Sequence, residues 1–180
     1  SQLDVLETMT PAEFLSFREF LESSSGFQSA QFRELEFLLG QKRPKMMEYH
    51  DQGSSGRQRL EQRLVEPSLW DAFLNCLSQN NINIPQKLLE RDFTQADTAS
   101  PEVQLELIEV YKNTPLLAHL CELLVDFDEG LQEWRYRHVK MVERTIGTKR
   151  GTGDSQGAEY LKKTLFQPVF PDLWEIRAEL

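Results

Sequence analysis

Apolar residues in this chain recur at steps of three and four, and no stretch sustains the alternation of a strand. That regularity commits the chain to helices before any other feature is weighed. Thr10-Pro11-Ala12-Glu13 is a capping box with proline at the first helical position. Behind it Phe14, Phe17 and Leu21 form a stripe, and Ser23-Ser24-Ser25-Gly26 is expected to end the helix. A second helix is predicted over about 29–39, with Phe32, Leu35 and Leu39 on one face and Gly40 just past its end. The polar stretch 41–57 reads as a mobile loop. Further helices are predicted over 57–65, from Ser68, from Ser100-Pro101 through Tyr111, from Thr114-Pro115 to about Phe127, and from Asp128 to Ile146. On the Ser100 helix Leu105, Ile108 and Tyr111 are in register. A glycine-rich segment at 147–157 reads as a second mobile loop, and a short helix at 158–166 and a tail with Pro168 and Pro171 follow. The expected fold class is all-α, as a single domain over 1–180.

Composition narrows the function. Of the 180 residues, 39% are hydrophobic and 27% charged, a globular balance with no stretch near the roughly 20 apolar residues a membrane span needs. The net charge is −9, which argues against nucleic acid or an anionic membrane surface as a partner, since both require a basic face. Ser1-Gln2-Leu3-Asp4 has neither basic flank nor apolar core, so no signal peptide is expected. Cys76 and Cys121 lack metal-ligand spacing and read as buried thiols of a reducing compartment, a single bridge being the other option.

The helix from Asp128 carries the most informative pattern. Leu131, Trp134, His138, Met141 and Thr145 follow at steps of three, four, three and four, which places His138 within an apolar seam. From this helix alone a buried histidine bonded to a neighbour is favoured. The alternative is an axial ligand to haem, because a neutral imidazole flanked by Trp134 and Met141 suits a flat apolar macrocycle. Arg18 shares a face with Phe14 and has the donor fork to clamp a carboxylate, although an ion pair with Glu22 explains it as well. The glycine-rich loop is not a P-loop, since Lys149 and Arg150 precede its glycines and no strand leads in. A flap whose backbone and Thr152 hydroxyl close over a small ligand remains, beside a plain surface loop. His119 reads as a core or interface residue and His50 as solvated. No HExxH, CxxC or GxSxG occurs.

Taken together these signals resemble one family. The first block is Leu6-Glu7-Thr8-Met9-Thr10-Pro11, Phe14, Phe17-Arg18, Ser25-Gly26-Phe27-Gln28-Ser29, Gln31-Phe32-Arg33, Glu36 and Leu39-Gly40. The second is Trp134-Arg135-Tyr136-Arg137-His138-Val139, Met141-Val142, Arg144, Ile146-Gly147, Lys149, Gly151-Thr152-Gly153, Ser155, Gly157 and Tyr160-Leu161, followed by Phe170-Pro171 and Leu173-Trp174. This succession resembles haem-dependent tryptophan 2,3-dioxygenase over nearly the whole chain. The resemblance implies a helical bundle of the tryptophan/indoleamine 2,3-dioxygenase type, a cytoplasmic homotetramer with haem b (iron protoporphyrin IX). It implies that O₂ opens the indole ring of L-tryptophan to give N-formylkynurenine, in the kynurenine pathway of tryptophan catabolism. It implies His138 as the haem iron ligand, Arg18 as partner of the substrate carboxylate and Phe14 at the indole. Ser25 is expected over the haem and beside the substrate, and Thr152 at the substrate's ammonium and carboxylate.

Three departures stand out. The family carries an N-terminal region with a His-Asp-Glu motif and a distal histidine ahead of the Leu6 run, whereas five residues precede it here. Asp154 and Gln156 replace the usual glycine and serine of the flap. A chain short at that end is expected to expose apolar surface and to depend on partner subunits. A non-catalytic haem-binding or assembly module of the same fold, and a related haem enzyme acting on another indole, are the alternative readings.

Overall fold

The structure is a computed structural model describing residues 2–19, 29–147 and 161–180, without the side chains of 2, 3, 6 and 18. All regular structure among the described residues is helical. In chain order it comprises α1 (Gln2–Thr8), α2 (Pro11–Glu19), α3 (Ala30–Leu38), a 3-10 helix (Pro44–Tyr49), α4 (Ser55–Val65) and α5 (Leu69–Gln79). Then come α6 (Gln86–Leu89), α7 (Pro101–Asn113), α8 (Pro115–Ile146), α9 (Pro171–Glu175) and a second 3-10 helix (Ile176–Glu179). None of the described helices is long and apolar enough to cross a membrane. The chain forms two compact units, Ser1–Ser29 with Glu129–Gln167, and Ala30–Asp128 with Pro168–Leu180.

The first unit is held by ion pairs along α8. The α2 capping box forms as its sequence predicts, with Thr10 N donating to Glu13 Oε2 at 2.8 Å and Glu13 N to Thr10 Oγ1 at 3.3 Å. Arg137 of α8 clasps Glu7 through Nε to Oε1 at 2.9 Å and Nη2 to Oε2 at 2.8 Å, and also bonds Asp4. Arg144 Nη1 donates to the Glu7 carbonyl at 2.8 Å. Together these bonds lash α1 to α8.

The second unit has a closed core. Phe37, Met47 and Leu60 are buried together, with Ala30 and Leu64 packed against them. The buried Lys42 ammonium donates to the carbonyl of Leu64 at 2.8 Å and to that of Glu66, capping the end of α4, where carbonyls lack helical partners. Ser68 opens α5 with a capping box: its N donates to Asp71 Oδ2 at 2.7 Å and its Oγ accepts from Asp71 N at 3.1 Å. Arg91 then grips Asp71 bidentately, Nε to Oδ1 at 2.6 Å and Nη2 to Oδ2 at 2.7 Å, and reaches Asp97 as well. Gly40 is needed where it stands. Its φ is +81°, and a Cβ there would collide with the Asp97 carboxylate. Trp70 stacks on Phe170 with centroids 5.7 Å apart, joining α5 to the 168–180 segment.

Several boundaries and faces differ from the sequence reading. The break expected between Phe127 and Asp128 is absent, and α8 runs unbroken for 32 residues. Asp128, expected to start a helix, lies within α8 as a fully buried carboxylate, whose Oδ2 accepts from Val169 N (2.8 Å), Phe170 N (3.2 Å) and Trp174 Nε1 (2.9 Å). On α7 the buried residues are Val103, Leu107 and Val110, whereas Leu105, expected inside, is 68% exposed. On α3 Arg33 and Glu36 are buried as an ion pair beside Phe37, and Leu35 faces out. The 41–57 stretch, read as a loop, contains the 3-10 helix and the buried Met47 and Lys42. Cys121 is buried and Cys76 half-buried, both as free thiols. Of the helix expected over 158–166, residues 161 and 162 are helical, 163–166 form turns instead, and 158–160 lie outside the described residues.

Candidate functional site

The first-unit stretch of α8 turns its polar residues to specific anchors, and this sets which side carries His138. Arg135 is buried and donates Nη1 to the carbonyls of Gln167 at 2.7 Å and Thr164 at 3.3 Å. Arg137 is committed to Glu7 and Asp4, and Glu143 bonds Lys140 at 2.9 Å and Lys162 at 2.8 Å. The same bonds pull the Glu7 carboxyl below its ordinary range and push the Arg137 guanidinium above its own. With those residues anchored, Trp134, His138, Met141 and Thr145 share one face, as their spacing predicts.

His138 is half-buried, and its ring lies 5.2 Å from that of Trp134, tilted by 37°. Burial alone acts on its titration and lowers its pKa below the ordinary histidine value. No hydrogen bond or ion pair joins it to another described residue. The hydrogen-bonded histidine favoured from the helix alone is therefore not what these residues build. Trp134 remains 39% exposed beside His138, while Met141 and Thr145 are buried. Thr145 turns its hydroxyl back to the Met141 carbonyl at 2.8 Å, removing a polar group from the seam.

The other expected site residues fare differently. Phe14 is half-buried on α2, one turn past the Thr10 cap. Arg18 is carried by the same helix, but its side chain lies outside the described residues, as do Ser25 and Thr152 and with them residues 148–157 of the glycine-rich loop. Two histidines sit otherwise than expected. His50 is half-buried rather than solvated, and its Nε2 is enclosed without a partner. His119, expected in the core or at an interface, is exposed on α8 and so is not a core residue. Sequence reasoning missed Arg135, Arg137, Asp4 and Glu7, which orient the seam. The signal was present in Trp134-Arg135-Tyr136-Arg137-His138, since arginines on either side of an apolar stripe need acidic or carbonyl partners close by.

The chain is similar in sequence to proteins of one family. Residues 1–66 and 90–180 match the family model described as Tryptophan 2,3-dioxygenase. A tryptophan 2,3-dioxygenase of Herpetosiphon aurantiacus is 59% identical over 180 residues, covering 100% of this chain and 68% of that protein. Those of Anaeromyxobacter sp. (strain K) and Caulobacter vibrioides are 49% and 44% identical, covering 100% and 98% of this chain and 68% of each relative.

Proposed function

This chain belongs to the tryptophan 2,3-dioxygenase family, and we propose that it performs the reaction for which its relatives are named. L-Tryptophan and O₂ are the substrates. The C2–C3 bond of the indole is broken and each carbon receives one oxygen atom, giving N-formylkynurenine and opening the kynurenine route of tryptophan catabolism. The single observation behind this reading is the family match across both α2 and the His138 helix.

The cofactor proposed is haem b, and the donor chemistry at His138 fits it. A neutral, uncommitted imidazole, kept unprotonated by burial and flanked by Trp134 and Met141, is suited to hold a haem iron. When bound, the haem supplies the redox chemistry with O₂. The protein's share is binding, orientation and exclusion of water. Arg18 would pair its donor fork with the substrate carboxylate, and Phe14 would pack on the indole. Ser25 would line the substrate and haem side, and Thr152 would hold the ammonium and carboxylate from the flap. Arg135 and Arg137 act at a distance, fixing the rotation of α8 and so the direction of His138. A homotetramer in the cytoplasm is the assembly and compartment proposed with this function, on the family resemblance.

Titration of the full chain with haemin, followed by L-tryptophan under air, tests the reading. The unaltered chain gives a Soret band and forms N-formylkynurenine, and His138→Ala abolishes the band. Arg18→Ala keeps the band and raises the KM for tryptophan roughly tenfold to a hundredfold, the loss expected for a charged hydrogen-bonding pair. A His138→Ala chain with an unchanged haem spectrum would overturn the ligand assignment. An unchanged KM in Arg18→Ala would overturn the carboxylate clamp.

A further inference from the structure

Within the first unit, α1 meets α8 through charge, and the contact centres on one residue. Asp4 and Glu7 share a face of α1, and Arg137 and Arg144, two turns apart, share a face of α8. Glu7 is gripped twice. Its carboxylate takes the Arg137 fork, Nε to Oε1 at 2.9 Å and Nη2 to Oε2 at 2.8 Å. Its backbone carbonyl accepts from Arg144 Nη1 at 2.8 Å. That carbonyl lies in the last turn of α1, where helical partners have run out and a guanidinium serves as a cap. A side-chain bond alone leaves a helix end free to swing about it. A second bond to the main chain fixes its rotation as well.

The chain that follows Glu7 is closely bonded. The Thr8 hydroxyl donates to the Val5 carbonyl at 2.8 Å, and Phe14 N donates to the Thr10 carbonyl at 3.0 Å behind the Thr10–Glu13 capping box. Only Met9 lies between the end of α1 and that box. The placement of the α1 end is therefore passed to α2, which carries Arg18. On the other helix, Arg137 directly precedes His138. We propose that Glu7 is a positioning residue: held by Arg137 and Arg144, it sets where α2 presents Arg18 to tryptophan relative to His138. The inference rests on the tryptophan dioxygenase reading and adds a residue to which that reading gives no part in substrate binding. Glu7 and Arg137 are each about one-third exposed, and an ion pair in that setting adds little to stability. Misplacing a substrate-binding group is felt far more strongly.

Glu7→Gln on the full chain tests it, since the side chain keeps its size and loses its charge. Loaded with haemin, the variant is expected to keep the circular dichroism and the Soret band of the unaltered chain. Spectral titration with L-tryptophan, without reductant or O₂ so that nothing turns over, is expected to show affinity lowered about tenfold. In an Arg18→Ala background the same change is expected to cost nothing further, because the group that Glu7 places is gone. Arg144→Gln, which releases only the main-chain grip, is expected to give a smaller loss. In the haem-free chain, hydrogen exchange is expected to quicken over 11–19 in Glu7→Gln and to stay unchanged over 138–146. An unaltered chain that binds neither haemin nor L-tryptophan overturns the dioxygenase reading and this inference with it. An unaltered chain that binds both, beside a Glu7→Gln affinity equal to its own, overturns this inference alone. So does an equal loss with and without Arg18, or a Glu7→Gln chain that no longer folds, which would make Glu7 a determinant of the fold.

Discussion

Asp128 and His138 stand on one helix, ten residues apart, and use their polar atoms in opposite ways. Asp128 is fully buried, and one of its carboxylate oxygens accepts three N–H groups from the 169–174 segment. His138 is half-buried and has no hydrogen-bond partner among the described residues. Buried polar groups that serve the fold are satisfied by it. A group left with spare capacity in a partly apolar setting is a candidate for function. The same contrast separates the units: the second encloses Asp71, Asp128 and Asp172 with their donors, while in the first His138 has no hydrogen-bond partner among the described residues.

The contrast is sharpest under mutation. Asp128→Ala strands two backbone donors and an indole N–H in the core, and is expected to cost about 3–5 kcal/mol of stability. His138→Ala without haem is expected to change stability by less than about 1 kcal/mol, since it strands nothing. Urea unfolding of both variants checks the pair, and equal losses would break the distinction. Gly40→Ala comes next, at about 2–4 kcal/mol, because a β-carbon there meets both a left-handed backbone and the Asp97 carboxylate. The smallest effect is a pH slope. Burial pushes Asp97 up to about 6 from 3.8, so the native state keeps a proton that the unfolded chain has already lost. Stability therefore falls as pH rises through that window, and levels off above it. Asp97→Asn is expected to flatten this component of the curve, and parallel curves for the two proteins would remove Asp97 as its source.

Much of this architecture was legible in the sequence wherever the deciding interaction is local. The Thr10 and Ser68 caps, Gly40 beyond α3 and the seam holding His138 each follow from residues within a turn or two. Errors arose where partners are distant in sequence. A helix start at Asp128 is the natural local reading because the donors that bury its carboxylate lie more than forty residues further on. The buried face of α7 was misread because Leu105 and Val103 are equally apolar, and only packing chooses between them. In the site, periodicity pointed to His138 and its two apolar neighbours. It could not assign Arg18, Ser25 or Thr152, whose roles came from the family resemblance.

The division of α8 between units has a kinetic consequence. The second unit is assembled from two separate stretches of chain, with 129–167 interposed. During synthesis its first stretch emerges with the Asp128 carboxylate still lacking its three donors, and the Trp70 ring still lacking Phe170 to stack on. Closure must wait until the whole intervening segment has been made. A ribosome pause within 129–167 would therefore hold this half of the protein open, its wet carboxylate and bare indole within reach of chaperones.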